Sequence, residues 1–93
     1  MNVRWVEVAK QDRVDILTYI SADNPSAAVR MDELFSEVAE KLADFPLMGQ
    51  VGQIPGTREM FPHENYRMVY EIGGETVWIL ALVHTSRQWP RGC

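Results

Sequence analysis

The sequence predicts an α+β fold in which an antiparallel pair of helices packs on a small antiparallel sheet, in the order β-α-α-β-β-β. Three features carry this prediction. Gly73-Gly74 separates two runs of β-branched and aromatic residues, which is typical of a β-hairpin. Asn24-Pro25 separates two segments whose apolar residues recur at helical spacing. A short apolar stretch, residues 3–6, precedes the first helix and is predicted to be a strand.

Both helices have readable ends. The first begins at Glu7, where apolar residues change to helical spacing, and ends near residues 21–23. Asn24 is expected to cap the second helix, with Pro25 at its first position, and Pro46 ends it. A connection this short makes the helices a hairpin whose apolar stripe must face the sheet. The predicted core consists of Trp5, Leu17, Ile20, Met31, Leu34, Phe35, Val38, Leu42, Tyr66, Met68, Tyr70, Val77 and Ile79.

The central hairpin predicts which side chains lie on each face of the sheet. A two-residue turn at 73–74 would pair Tyr70 with Val77 and Met68 with Ile79 on the core face. The other face would carry an unusual mixture of side chains, namely Arg67, Trp78, Leu80, Leu82 and His84. That mixture is too apolar for a solvated face, so we expect it to bind a partner. Residues 47–57 contain three glycines and are predicted to be a loop, before a strand from residue 58 to residue 61.

Composition and charge limit the classes of function that fit the chain. The 93 residues are predicted to form one domain, residues 1–93, with a net charge of −4. Residues 1–45 hold five Lys or Arg against nine Asp or Glu, and the remainder holds four of each. A protein whose main ligand is RNA or duplex DNA usually has a basic surface, so we expect no sequence-specific nucleic-acid binding. A single cysteine, Cys93, and the absence of an apolar run of about 20 residues or a signal peptide favour the cytoplasm and no membrane association.

The candidate chemistry is sparse. Neither a phosphate-binding glycine loop, a metal-ligand spacing nor a nucleophile–base pair is present, so we expect no cofactor, no metal and no catalytic residue. Three arginines on or after neighbouring strands, Arg58, Arg67 and Arg87, would bind a phosphate or a partner carboxylate if they converge near His84. Alternatively, each is a separate surface charge or pairs with an acid such as Glu59 or Glu71. Trp89, before Pro90, is either a lid on the sheet or a binding anchor.

Five segments together make the chain resemble toxins of the RelE/ParE superfamily of bacterial toxin–antitoxin pairs. The segments are Asp23-Asn24-Pro25, Phe45-Pro46-Leu47-Met48-Gly49, Pro55-Gly56-Thr57-Arg58-Glu59, Tyr66-Arg67-Met68-Val69-Tyr70 and Val83-His84-Thr85-Ser86-Arg87-Gln88-Trp89-Pro90. The resemblance spans almost the whole chain and implies a helical hairpin on a small sheet. It also implies a cognate antitoxin whose flexible C-terminal segment wraps the toxin in a hetero-oligomer. Trp78, Leu80, Leu82, Arg58 and Arg67 are expected to contact that antitoxin.

The two branches of the superfamily imply different targets. RelE-like members cut mRNA in the ribosome, and an interferase of that kind would use Arg58, Arg67 and His84. The resemblance also assigns basic residues to the positions of Met60 and of Thr85 or Ser86. None of these is basic in this chain, unless Arg87 takes the last position through a shifted register. ParE-like members poison DNA gyrase without catalysis, and this function is favoured. Gyrase would then be bound by Arg58, Arg67, His84, Arg87 and Trp89. A third alternative is a non-toxic relic that still binds an antitoxin.

Overall fold

The computed structural model describes residues 1–91, which form two helices and five strands. In chain order these are β1 (Asn2–Trp5), α1 (Glu7–Asp23), α2 (Pro25–Asp44), β2 (Gln50–Val51), β3 (Thr57–His63), β4 (Tyr66–Gly73) and β5 (Thr76–His84). Cys93 lies outside the described residues. Within residues 1–91, neither helix has the length and the apolar composition that crossing a bilayer requires.

The five strands form one sheet in the order β1-β5-β4-β3-β2. The α+β class and the β-α-α-β-β-β order are confirmed, with two additions. The sheet is mixed, because β1 runs parallel to β5 while the other pairs are antiparallel. The loop predicted for residues 47–57 also contains a strand, β2, which pairs with Arg58 and Glu59 of β3. Two residues among glycines are too few to show a strand periodicity, so the sequence pattern could not reveal β2.

The helical hairpin has the predicted bounds. The Asn24 side chain caps α2 by accepting a hydrogen bond from the Ala27 N–H, 3.1 Å away, and Pro25 occupies the first turn. Arg13 of α1 joins the two helices, since its Nε donates to Asp32 Oδ1 (2.8 Å) and its Nη2 donates to Ser36 Oγ (2.8 Å). This arginine also lies 4.8 Å from the centre of the Trp5 ring. One cation therefore fixes both helices and the start of the sheet.

The core lies between the helical hairpin and one face of the sheet. Its fully buried members include Phe35, Leu42, Met68, Tyr70, Val77 and Ile79. Predicted core residues that are partly buried but pack against this cluster are Trp5, Leu17, Ile20, Met31 and Val38. Leu34 is a correction, because it is only half-buried and lies outside the cluster while the adjacent Phe35 points at the sheet. Only one of two consecutive helical residues can face the sheet squarely.

The β4–β5 hairpin is shifted from the predicted register. Its turn lies at Gly74 and Glu75, and Tyr70 pairs with Ile79 rather than with Val77. Gly74 has a φ of 61°, which favours glycine over any residue with a Cβ. A shift of two residues leaves every side chain on its predicted face, because side chains alternate with a period of two. Met68 and Ile79 are accordingly buried, as expected.

A β-bulge then changes the faces in the second half of β5. The register moves by one residue between the Tyr70–Ile79 and Val69–Ala81 pairs, which leaves Leu80 as the extra residue. Leu82 therefore pairs with Met68 and enters the core, although it was predicted on the opposite face. Ala81 and Val83 take that opposite position, on the sheet face away from the helices, which we call the outer face.

Candidate functional site

Arg67 lies on the outer face and is engaged in an ion pair. Its Nε atom is 2.9 Å from Glu59 Oε1, and the two side chains are 15% and 2% exposed. The Nε–H does not point at this oxygen, so the contact is electrostatic rather than a hydrogen bond. The other Glu59 oxygen accepts a hydrogen bond from the Gln53 N–H (3.1 Å), and the Arg67 guanidinium lies 5.6 Å from the Phe61 ring centre. Of the alternatives left by the sequence, the pair with Glu59 is therefore the one observed.

Arg58 lies on the opposite side of the sheet. It pairs across the strands with Tyr70, whose ring is in the core beneath the helices. The Arg58 Nη1 donates to the carbonyl oxygens of Gly49 (2.8 Å) and, more weakly, Leu47 (3.4 Å). Arg58 thus fixes the loop that follows α2 through carbonyl groups, which supply no counter-charge.

His84 ends β5 on the helix side of the sheet. It pairs with Tyr66, and the two rings meet edge to face with their centres 5.2 Å apart. The His84 Nδ1 accepts a hydrogen bond from the Ser86 N–H (3.0 Å) and lies 2.7 Å from Ser86 Oγ, so this ring nitrogen is occupied by the turn that follows the strand. His63 accepts a hydrogen bond from the Asn65 N–H in the same way at the β3–β4 turn. In the structure, the His84 side chain therefore stabilises the turn that follows β5.

The three arginines therefore do not converge near His84. Arg67 lies on the outer face, while Arg58 and His84 lie on the helix side. The strand pairs that hold them, at Tyr70 and at Tyr66, are four residues apart along β4, which is roughly 13 Å of strand. The predicted antitoxin face is also dispersed, because Leu82 is buried beneath the helices while Trp78 remains half-buried on the outer face.

The tail after β5 brings the remaining predicted residues together. Trp89 packs on Val69, Ala81 and Val83, and so covers part of the outer face. It therefore acts as a lid on the sheet, and its Nε1–H is buried without a hydrogen-bond acceptor within residues 1–91. Arg91 fastens the tail to α1, because its Nη2 lies 2.6 Å from Asp12 Oδ2.

A cleft of about 860 Å³ opens between α1 and this tail. Its walls combine apolar side chains with charged ones, and its lining includes Asp12, Asp15, Tyr19, Tyr66, His84 and Arg87. Asp12 is occupied by Arg91 and by the Leu82 N–H (3.1 Å). The Arg87 side chain is exposed, and its guanidinium makes no hydrogen bond or ion pair within residues 1–91. It is the cation at this cleft that remains available to a partner.

Tyr66 at the base of the cleft is buried and aromatic contacts surround it. Burial raises the pKa of its hydroxyl, and the nearby Tyr19 hydroxyl adds to the shift. The phenol thus stays protonated at neutral pH and can donate a hydrogen bond into the cleft. The contribution of α1 to this cleft could not be predicted from the sequence. The acidic residues of α1 have the pattern expected of the solvated face of an amphipathic helix.

Comparison with known proteins identifies the family. Residues 3–89 match the model of the family described as "ParE toxin of type II toxin-antitoxin system, parDE". The chain belongs to this ParE toxin family. It is also 33% identical over 91 residues to "Putative toxin Y4kP" of Sinorhizobium fredii, a match that covers 97% of this chain and 94% of that protein.

Solved structures support the ParE fold of the chain. A structure titled "Chromosomal ParDE TA system from P. aeruginosa" superposes with a TM-score of 0.78 at 19% identity, and the match covers 90% of this chain and 95% of that one. The "YoeB/ParE toxin from Agrobacterium tumefaciens" superposes with a TM-score of 0.64 at 15% identity, over 90% and 98% of the two chains. At these identities the likeness concerns the fold alone. The helical hairpin on a mixed sheet is therefore the ParE architecture.

Proposed function

We propose that this ParE-family toxin acts in the bacterial cytoplasm by binding DNA gyrase stoichiometrically, and that a cognate antitoxin neutralises it in a hetero-oligomeric complex. The observation that carries the choice of target is the separation of Arg67 from His84 by the sheet. A toxin that binds its target needs a surface of anchors and charges, whereas a toxin that cuts RNA needs an assembled catalytic centre.

The alternative, a ribosome-dependent mRNA interferase, would need three functions at one phosphate. In-line cleavage of RNA requires a base for the 2′-hydroxyl, a proton donor for the leaving oxygen and positive charge at the phosphate. Arg67 is paired with Glu59, Arg58 binds loop carbonyls, and His84 Nδ1 receives the Ser86 N–H. The net charge of −4 would also oppose entry into a polyanionic ribosome. These features favour gyrase.

The tail supplies the means of binding. Arg87 presents a planar, five-donor guanidinium beside the cleft, and such a group suits a partner carboxylate. Trp89 is already packed on the outer face, so its role is to hold the tail in place rather than to insert into gyrase. Arg87 and Trp89, which were both expected to bind gyrase, are therefore given different roles. Arg87 is assigned to the target, and Trp89 to the support of Arg87.

Purified gyrase and supercoiled plasmid test the proposal directly. Titration with the toxin should inhibit supercoiling or trap cleaved DNA in proportion to the toxin-to-gyrase ratio. Arg87→Ala should weaken inhibition about tenfold or more with an unchanged melting temperature, as expected for an exposed arginine anchor. Arg30→Ala, at an exposed arginine on α2, is the matched control and should inhibit like the wild type. Unaffected supercoiling at a large molar excess of toxin would refute the gyrase target.

Two further measurements separate the alternatives. Transcripts should remain intact in cells that express the toxin and stop growing, and specific cuts in translated messages would instead favour the interferase. The cognate antitoxin is expected to co-purify with the chain and to restore growth. A freely expressed, harmless chain that still binds the antitoxin would identify it as a non-toxic relic.

A further inference from the structure

Four large apolar side chains are exposed together where α2 leads into β2. Phe45, Leu47 and Val51 are 64%, 66% and 78% exposed, and Met48 is 40% exposed. They lie within seven consecutive residues, and we call them the α2–β2 patch. Single exposed apolar residues need no explanation, but a group of this kind is typical of a surface that another molecule covers. The cleft and the tail discussed above do not include these residues.

The α2–β2 patch combines an open strand edge with a cation. Within residues 1–91, β2 is the edge strand at the end of the sheet opposite β1, so its outer edge has no strand partner. Val51 pairs with Arg58 on the inner side of β2. The Arg58 Nη1 holds the Leu47 and Gly49 carbonyls from within the patch, which leaves the other donors of its guanidinium for a partner.

The segment that carries the patch is held firmly. The Tyr70 hydroxyl donates to the Pro46 carbonyl (2.6 Å) and accepts from the Gly49 N–H (2.9 Å). A Cβ at Gly49 would lie 2.9 Å from the Glu59 carbonyl oxygen, so the loop and β3 are in close contact. A partner would therefore meet a surface that is already ordered, which reduces the entropic cost of binding.

We infer that the α2–β2 patch is a docking site for an extended segment of the cognate antitoxin. The inference rests on the proposed function, since it requires that an antitoxin binds this chain. The segment would add to the outer edge of β2 through main-chain hydrogen bonds and place apolar side chains on Phe45, Leu47 and Val51. It would also carry a carboxylate that pairs with Arg58.

Charge argues for an antitoxin segment rather than a second copy of the chain. A two-fold dimer buries the same patch on both subunits, so it would bring Arg58 towards Arg58 of the copy. Like charges opposed in a buried interface are unfavourable. A separate segment with an acidic residue satisfies the same cation, and it needs no symmetry.

The test compares one substitution at two exposed valines. Val51→Asp places a carboxylate in the α2–β2 patch, and Val29→Asp places it on α2, where the valine is 59% exposed and distant in sequence. Isothermal titration with the purified full-length antitoxin measures the affinity. Val51→Asp, and independently Leu47→Asp, should weaken binding about tenfold or more, because a charge replaces an apolar contact. Val29→Asp should bind like the wild type, and all three should melt at the wild-type temperature.

Each outcome is informative. Wild-type affinity in both patch variants would overturn the docking site while leaving the toxin–antitoxin pair intact. No binding by the wild-type chain would instead refute the proposed partner itself. Reduced gyrase inhibition with normal antitoxin binding would assign the patch to the target and overturn the inference. So would light scattering that shows a dimer of the isolated toxin that Val51→Asp dissociates.

Discussion

Glu59→Gln is expected to lower the free energy of unfolding by about 3 kcal/mol. The glutamine keeps the size of the side chain and an oxygen for the Gln53 N–H, but it removes the charge that faces Arg67. Glu59 is 2% exposed and Arg67 is 15% exposed, so the remaining guanidinium would be nearly buried without a counter-charge. Breaking a buried ion pair costs about 3–5 kcal/mol. The lower end applies here because water reaches part of Arg67.

Urea denaturation of a double-mutant cycle measures this value. Arg67→Met replaces the cation with an apolar chain of similar length, and the double variant Glu59→Gln with Arg67→Met leaves neither charge buried. The double variant should therefore be more stable than the sum of the two single losses implies, by about 2 kcal/mol or more. A loss below about 1 kcal/mol for Glu59→Gln, which is typical of an exposed pair, would refute the argument that this pair is shielded from solvent.

Four other substitutions test the packing of the core and the ionisation of Tyr66. Gly49→Ala should lower the free energy of unfolding by about 1–3 kcal/mol in urea, because its Cβ would lie 2.7 Å from the Tyr70 hydroxyl; wild-type stability would contradict this close contact. Phe35→Ala should cost about 3–5 kcal/mol and half-buried Leu34→Ala clearly less, and equal losses would contradict the orientation of α2. The raised pKa of Tyr66 stabilises the fold below about pH 10 and costs stability as pH rises further. The wild type should therefore lose more stability than Tyr66→Phe in denaturation at increasing alkaline pH, and parallel curves would contradict it.

The helices could be predicted because their signals are local. Asn24, Pro25 and Pro46 act within one turn of the chain, so no knowledge of the sheet was needed to place the helix ends. The same is true of the hairpin near its turn, where Val77 and Ile79 alternate with less buried residues. Such features depend on backbone preferences and on periodicity, which a single sequence records.

The second half of β5 could not be predicted, because its bulge leaves no mark in the sequence. Residues 77–83 are apolar without interruption, so no polar side chain shows which face meets solvent. The extra residue, Leu80, exchanges the faces of Ala81 and Leu82, and this removed Leu82 from the predicted binding surface. In a continuous apolar run the position of a bulge is decided by packing on both faces.

Whether the arginines converge could not be decided from the sequence for a related reason. Arg58 and Arg67 lie on adjacent strands, and their nearness in the sheet suggested a shared surface. Their faces depend on the register of β3 with β4, which shifts between Met60 and His63 at the turn. That irregularity places Arg58 opposite Tyr70 and leaves Arg67 with Glu59. Tertiary geometry of this kind determines whether two cations cooperate or act separately.

The position of β5 has a consequence for biosynthesis. β5 pairs with β1 on one side and with β4 on the other. The first strand to be synthesised therefore cannot pair until the last strand has been made. Until Thr76–His84 is available, β1 has no neighbour and the central part of the core lacks Val77 and Ile79. Pairings so distant in sequence form late, after their loop-closure cost is met. A growing or prematurely ended chain that lacks Thr76–His84 therefore cannot complete the sheet or the surfaces that depend on it.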